Sequence, residues 1–332
     1  MKTSSKTFFK IGLRLGIVAI FALNLSLIIK PASAAEEVSY ILTAASKGDL
    51  ATVNAMLGSG ASANAKDEDG ITALMYAARK DKFQVVSALI NKGAEINAKD
   101  NGGWTALMFA AKKNNVATVK VLLEKGADPK VRDASGWSAF GLAAVSGFSE
   151  TVDLLVKHGV DVNTKSDDGR TVLMHAAKSG DIATITTLLD NKADVLAQDK
   201  AGTTALMIAA REGHAPAEVL IINKSSANRN QVVGQKDLSK WTALTWAVKK
   251  SQIEAAKVLI ANAADVNNLD TDGTPLLHIA VDNGSTEMVK LLIENKAKVK
   301  TKDQYGLTAL VYALKKQQTE IIKLIKDAGG SY

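Results

Sequence analysis

Four histidines, His158, His175, His214 and His278, are the side chains in this chain of 332 residues best suited to metal binding or proton transfer. None has a second ligand at a useful spacing, and no H-x-x-x-H, G-x-S-x-G or phosphate-loop pattern occurs. The complete absence of cysteine removes thiolate nucleophiles, disulfides and cysteine-type metal sites. Acid pairs such as Asp167-Asp168 read as solvated turn residues rather than a general acid–base couple. These features point away from an enzyme and require no cofactor and no metal.

The residues suited to recognition are more ordered. Of the 4 tryptophans, Trp104, Trp137 and Trp241 each stand immediately before a Thr or Ser that recurs along the chain. Seven and eight residues after that Thr or Ser come the pairs Arg79-Lys80, Lys112-Lys113, Val145-Ser146, Lys178-Ser179, Arg211-Glu212, Lys249-Lys250, Asp282-Asn283 and Lys315-Lys316. Basic residues dominate them, and only Glu212 and Asp282 are acidic. Lys and Arg also suit the negative end of a helix dipole, which accounts for part of this ladder. It does not account for tryptophans in turns; Trp and Arg are the types enriched where binding energy concentrates. The expected partner-binding set is therefore Trp104, Trp137, Trp241, Arg79, Lys80, Lys112, Lys113, Lys178, Arg211, Lys249 and Lys250, facing an acidic protein surface. Trp246, placed within a helix, is expected to pack inward.

The elements that position these residues are set by a period. Thr72, Thr105, Ser138, Thr171 and Thr204 follow one another at 33 residues; the next step, to Thr242, is 38, and the period resumes at Pro275 and Thr308. Extrapolation back to Ser39 makes nine units. In each unit the Thr supplies an oxygen for orphan amides at a helix start. Alanine pairs such as Ala77-Ala78 and Ala110-Ala111 keep the first helix thin, and runs such as Val121-Leu122-Leu123 make the second apolar. Glycines such as Gly70, Gly103 and Gly202 fit a turn needing positive φ. Asp67, Asp100, Asp133, Asp199, Asp237, Asp270 and Asp303 can bind the backbone of the same turn.

This wording at this period resembles the ankyrin repeat, whose signature contains T-P-L-H-x-A; Leu276-Leu277-His278-Ile279-Ala280 retains the histidine. The resemblance covers essentially the whole chain after the first 34 residues. It implies an all-α solenoid of helix-turn-helix units with β-hairpin-like finger turns. It also implies protein binding by a concave face made of the finger turns and the exposed side of the first helices, and structural hydrogen bonding for His278. No unit buries its own apolar face, so stability comes from stacking, and the polar Lys323 and Lys326 suit an outer cap.

Two segments depart from the pattern. Residues 1–34 combine Lys2, Lys6, Lys10 and Arg14 with an apolar run from Leu15 to Ile29 and an Ala32-Ser33-Ala34 cleavage signature, a signal peptide removed before Ala35. As a helix the run would span roughly 22 Å, short of the ~30 Å of a bilayer core. Without the leader's five cations the net charge falls from +7 to +2, so the basic isoelectric point is poor support for nucleic-acid binding. Between Ser225 and Asp237 five extra residues enter, and Lys240 replaces the turn glycine. They read either as a tolerated surface insertion or as a longer finger reaching a partner. With Pro216 and Glu218 expected to disturb the preceding helix, the joint from Pro216 to Lys240 is expected to be the weakest coupling. The function expected is a periplasmic binding or inhibitory protein guarding an exported enzyme, acting as a monomer. The alternatives are a secreted effector or a passive scaffold.

Overall fold

The computed structural model describes residues 34–331, and every named element among them is a helix. The expected leader falls outside the described residues, Ala34 apart. The compact unit begins at Val38. Helix pairs follow one another from Ala34–Lys47 with Leu50–Gly58 through to Ala309–Lys315 with Thr319–Asp327, nine pairs among the described residues. No helix among them is long and apolar enough to cross a membrane.

Six of the nine units start from the same Thr or Ser cap; in the first, Ser39 lies within the helix Ala34–Lys47, and in the eighth Pro275 stands at the cap without a side-chain bond. In the third, Asp100 Oδ1 accepts from the amides of Gly102 and Trp104 at 2.9 and 2.7 Å, and Gly103 closes the turn at φ 82°. Thr105 Oγ1 then accepts from Met108 N at 3.3 Å and starts the first helix, Ala106–Lys112. The same cap recurs at Thr72, Ser138, Thr171, Thr204 and Thr242. In the last unit Thr308 instead donates to Ser331 O at 2.9 Å. The finger turns hold isolated antiparallel bridges, such as Lys66 with Thr72 and Lys165 with Thr171.

Stacking then buries what no unit can bury alone. From the second unit on, first helices pack on first helices and second on second. The alanine pairs Ala77-Ala78, Ala110-Ala111, Ala143-Ala144, Ala176-Ala177 and Ala209-Ala210 lose all exposure at these contacts. Leu89, Leu122, Leu155, Leu188 and Leu259 do the same between second helices. Each such leucine contributes about 1.5–3 kcal/mol by leaving water. Hydrogen bonds fix the rise: Asn101 N donates to Asp69 O at 2.9 Å and Ala134 N to Gly102 O at 3.1 Å, finger to finger. Asn64, Asn97, Asn163 and Asn267 each accept from an amide of the next unit.

The irregular joint differs from expectation at Pro216, and of the two readings of its extra residues it excludes the longer finger. Pro216 does not disturb its helix: it sits in the first turn of Ala215–Lys224, where a missing N–H costs nothing. The extra residues do not lengthen a finger. They form a 3-10 turn, Ser226–Asn228, and a short helix, Arg229–Gly234, pinned by the buried Val232 and Val233. The following finger keeps the standard ties, Ser239 N and Trp241 N to Asp237 Oδ1 and Leu238 N to Ala201 O. Helix Ala205–Glu212 packs directly on Ala243–Lys249, so the stack continues across the insertion. The abnormal residue is Glu218. It is fully buried, both its carboxylate oxygens lack a partner, and burial pushes its pKa up to about 8. The same place in other units holds Val86, Val119, Val152, Ile185 and Val289.

Candidate protein-binding face

The finger turn and the first helix of each unit hold the candidate residues together, and a column that the sequence reading passes over runs between them. The residue four after the capping Thr lies one helical turn on. It is Tyr76, Phe109, His175, Trp246 and Tyr312 in five units, all half-buried. The turn aspartate orients three of these rings. Its Oδ1 serves the backbone, and its Oδ2 accepts from Tyr76 Oη at 2.8 Å, from Trp246 Nε1 at 2.9 Å and from Tyr312 Oη. That bond raises the Tyr76 phenol above its ordinary value, and the bond to Asp303 pushes Tyr312 up to about 12. The signal lies in the sequence, since four aromatics share one place in the period.

The candidate tryptophans differ from one another. Trp104 packs on the core and on Phe109, with centroids 5.1 Å apart. Trp137 lies over Gly141, where sister units carry methionine; a Cβ there would meet the ring at 3.0 Å. Its ring also meets His175, 5.2 Å between centroids. These two therefore pack against the stack as well as lining the face. Trp241 instead stands edge-on to Trp246, 4.7 Å between centroids at 66°. Trp246, expected inward, touches both the core and Trp241.

The basic ladder divides in a similar way. Arg79 lies over the rings of Tyr76 and Phe109 at 4.8 and 5.9 Å, and Arg211 over Trp246 at 5.5 Å while pairing with Glu212. Cation–π contacts of this kind contribute about 0.5–1 kcal/mol when exposed. Lys112 donates to Ser146 Oγ at 3.1 Å. Lys80, Lys113, Lys178, Lys249 and Lys250 are exposed, and no ion pair involving them occurs among the described residues. A second row, at the base of the fingers and basic in three of its four members, is structural. Lys99, Arg132, Lys165 and Gln198 each donate to the carbonyl of the matching residue one unit on, at 2.9–3.2 Å.

The histidines serve packing. His278 Nε2 donates to Leu307 O at 3.0 Å and its ring meets Tyr312 edge-on. His214 Nε2 donates to Lys178 O and His158 Nδ1 to Leu154 O. His175 Nε2 is buried without a partner. Burial lowers the pKa of His175 and of His278. Among the described residues no group of three or more histidines and acids is placed to hold a metal.

A stacked array of helix pairs presenting one ordered face defines a repeat protein built for recognition. The chain belongs to the ankyrin-repeat family: the family model described as ankyrin repeats (3 copies) matches residues 41–133, 129–199, 193–270 and 259–331. Ankyrin repeats generally mediate protein–protein interaction. No curated protein matches the chain.

Proposed function

We propose that this protein is exported to the periplasm and there binds, and by covering it inhibits, an exported protein with an acidic surface. The observation that carries the binding reading is the face itself. Aromatic rings, three of them held by aspartates, share the face with exposed lysines that enter no ion pair among the described residues, a surface already ordered before a partner arrives. Preorganisation of this kind reduces the ordering cost of association. A standard interface of ~1,600 Å² in total fits across several units.

Export has its own test. The mature chain should begin at Ala35, and intact mass spectrometry of protein recovered from a periplasmic fraction reads this directly. Retention of Lys2 to Lys30 would replace export by anchoring.

Binding is tested with the partner captured from that fraction. Charge reversal of Lys112 and Lys113 together should slow association about tenfold at low salt and much less at high salt, since exposed charges steer encounter. The dissociation rate should change less than about twofold. An association rate that ignores both salt and these substitutions would remove the acidic partner.

A further inference from the structure

The seventh unit concentrates features that its own stability does not explain. Leu238, at the tip of its finger, is 75% exposed, the most exposed large apolar side chain among the described residues. Lys240 occupies the slot that glycine fills in other units, at φ 57°. A residue with a Cβ in that conformation costs about 1 kcal/mol relative to glycine. Its side chain is exposed and enters no ion pair among the described residues. Trp241 and Trp246 form the one edge-to-face tryptophan pair among the described residues, and Trp246 is fixed by its bond to Asp237. Lys249 ends the same helix and Lys250 caps it, both exposed and without an ion pair among the described residues, whereas Lys316 two units on is paired with Asp282.

We propose that the seventh unit is the docking centre of the face. Its occupant is a short acidic protein segment with an apolar side chain that seats on the Trp241–Trp246 pair between Leu238 and the lysines. This rests on the reading above that the face binds protein, and assigns where and by what chemistry. The apolar side chain gains from the half-exposed rings and from covering Leu238. Its flanking carboxylates meet Lys240, Lys249 and Lys250. Other finger tips carry the exposed acids Glu68, Asp69, Asp167, Asp168 and Asp272. A continuous polyanion laid along the fingers would meet them, whereas a short segment centred on one unit avoids them. The arrangement therefore suits an acidic protein segment rather than a nucleic acid. Trp104 and Trp137 are half-buried against the core, whereas the half-buried Trp241 meets the Trp246 ring instead.

The test pans a phage-displayed random peptide library against the whole protein and titrates one enriched peptide, synthesised free, against variants. The enriched sequences should share an aliphatic or aromatic residue flanked by Asp or Glu. Trp241→Ala should weaken binding about thirtyfold, as loss of an anchor does, and Trp104→Ala less than about twofold. Lys240→Gly is the sharpest variant: it relieves the turn, so the melting temperature should rise or hold while affinity falls severalfold. A purely structural role for unit seven gives no loss of affinity there. Failure to enrich, an enriched set without acids, or Trp241→Ala within about twofold of the parent overturns the proposal. If Trp104→Ala or the Lys112/Lys113 variant abolishes binding instead, the face still binds protein and only the assignment to unit seven falls. If no variant on the face alters affinity, both readings fall. Displacement of the peptide by transfer RNA, with a steep salt dependence, would transfer the site to nucleic acid and overturn it too.

Discussion

Replacing Glu218 with valine is expected to stabilise the protein by several kcal/mol at pH 8 and to flatten its loss of stability with rising pH. The carboxyl is fully buried, neither oxygen has a partner, and its pKa stands near 8 against a usual 4.5. The folded chain therefore holds a proton that the unfolded chain has already released. Stability is full below pH 4.5 and declines as pH rises, the decline ending above the folded value near 8. Over that window the loss is on the order of 4 kcal/mol. No charged side chain contributes to the shift; burial alone does. Valine and isoleucine fill the same place in Val86, Val119, Val152, Ile185 and Val289, so the backbone accepts them. Glu218→Gln separates the two effects, because it removes the titration and keeps an unpartnered polar group. It should flatten the pH profile with little gain at acid pH.

His175 and His278 act at the other end. Burial depresses both below the usual imidazole value of 6.5, so the stability they allow is present above that value and is lost as pH falls. The parent should consequently be most stable in weakly acidic solution, with an alkaline limb that Glu218 sets. Thermal melts across pH, with parent, Glu218→Gln and Glu218→Val side by side, measure this. An alkaline limb that survives both substitutions would show that the carboxyl is not its cause.

What the sequence discloses depends on whether an interaction closes within one unit. Asp100 binding Trp104 N, Gly103 at positive φ and Thr105 capping Met108 all lie within a few residues of each other. Each recurs with the period, so residue type and spacing are enough to reveal them. The reach of Arg132 to Lys165 O, or of Arg79 across to Phe109, joins residues about one period apart, and nothing in either unit alone marks the partner. The tryptophans show the same limit. Trp104, Trp137 and Trp241 share one place in the repeat, yet Gly141 leaves room for the Trp137 ring over the helix, while Trp241 stands edge-on to Trp246. The insertion is visible as extra length, but the burial of Val232 and Val233 that makes it a helix depends on neighbours. Glu218 reads from the sequence as a disturbance of its helix, whereas the disturbance lies in the core that the helix faces.

That dependence on neighbours gives the second large effect, a contrast between two glycines of nearly equal backbone conformation. Gly202 and Gly273 occupy the same turn at φ 79° and 73°. Alanine at either carries the left-handed cost of about 1 kcal/mol. Beyond that they differ. A Cβ on Gly202 would stand 3.0 Å from Leu238 N and 3.1 Å from Asp237 Cα, whereas one on Gly273 meets nothing within 4 Å. The obstacle at Gly202 is the backbone of the next finger, itself held by Leu238 N donating to Ala201 O at 3.1 Å. It cannot turn aside as a side chain would. Gly202→Ala should therefore lose about 2–4 kcal/mol, and Gly273→Ala about 1 kcal/mol. Lys240, already at φ 57° in the corresponding slot, shows that the bare conformation is tolerated. The larger loss should come with faster amide exchange at Leu238 and Trp241, because the finger that carries them must move. Melting curves with hydrogen exchange on the two variants decide the matter. Equal losses, or an undisturbed Leu238 amide in Gly202→Ala, would mean that the fingers are not stacked tightly enough to couple neighbouring units.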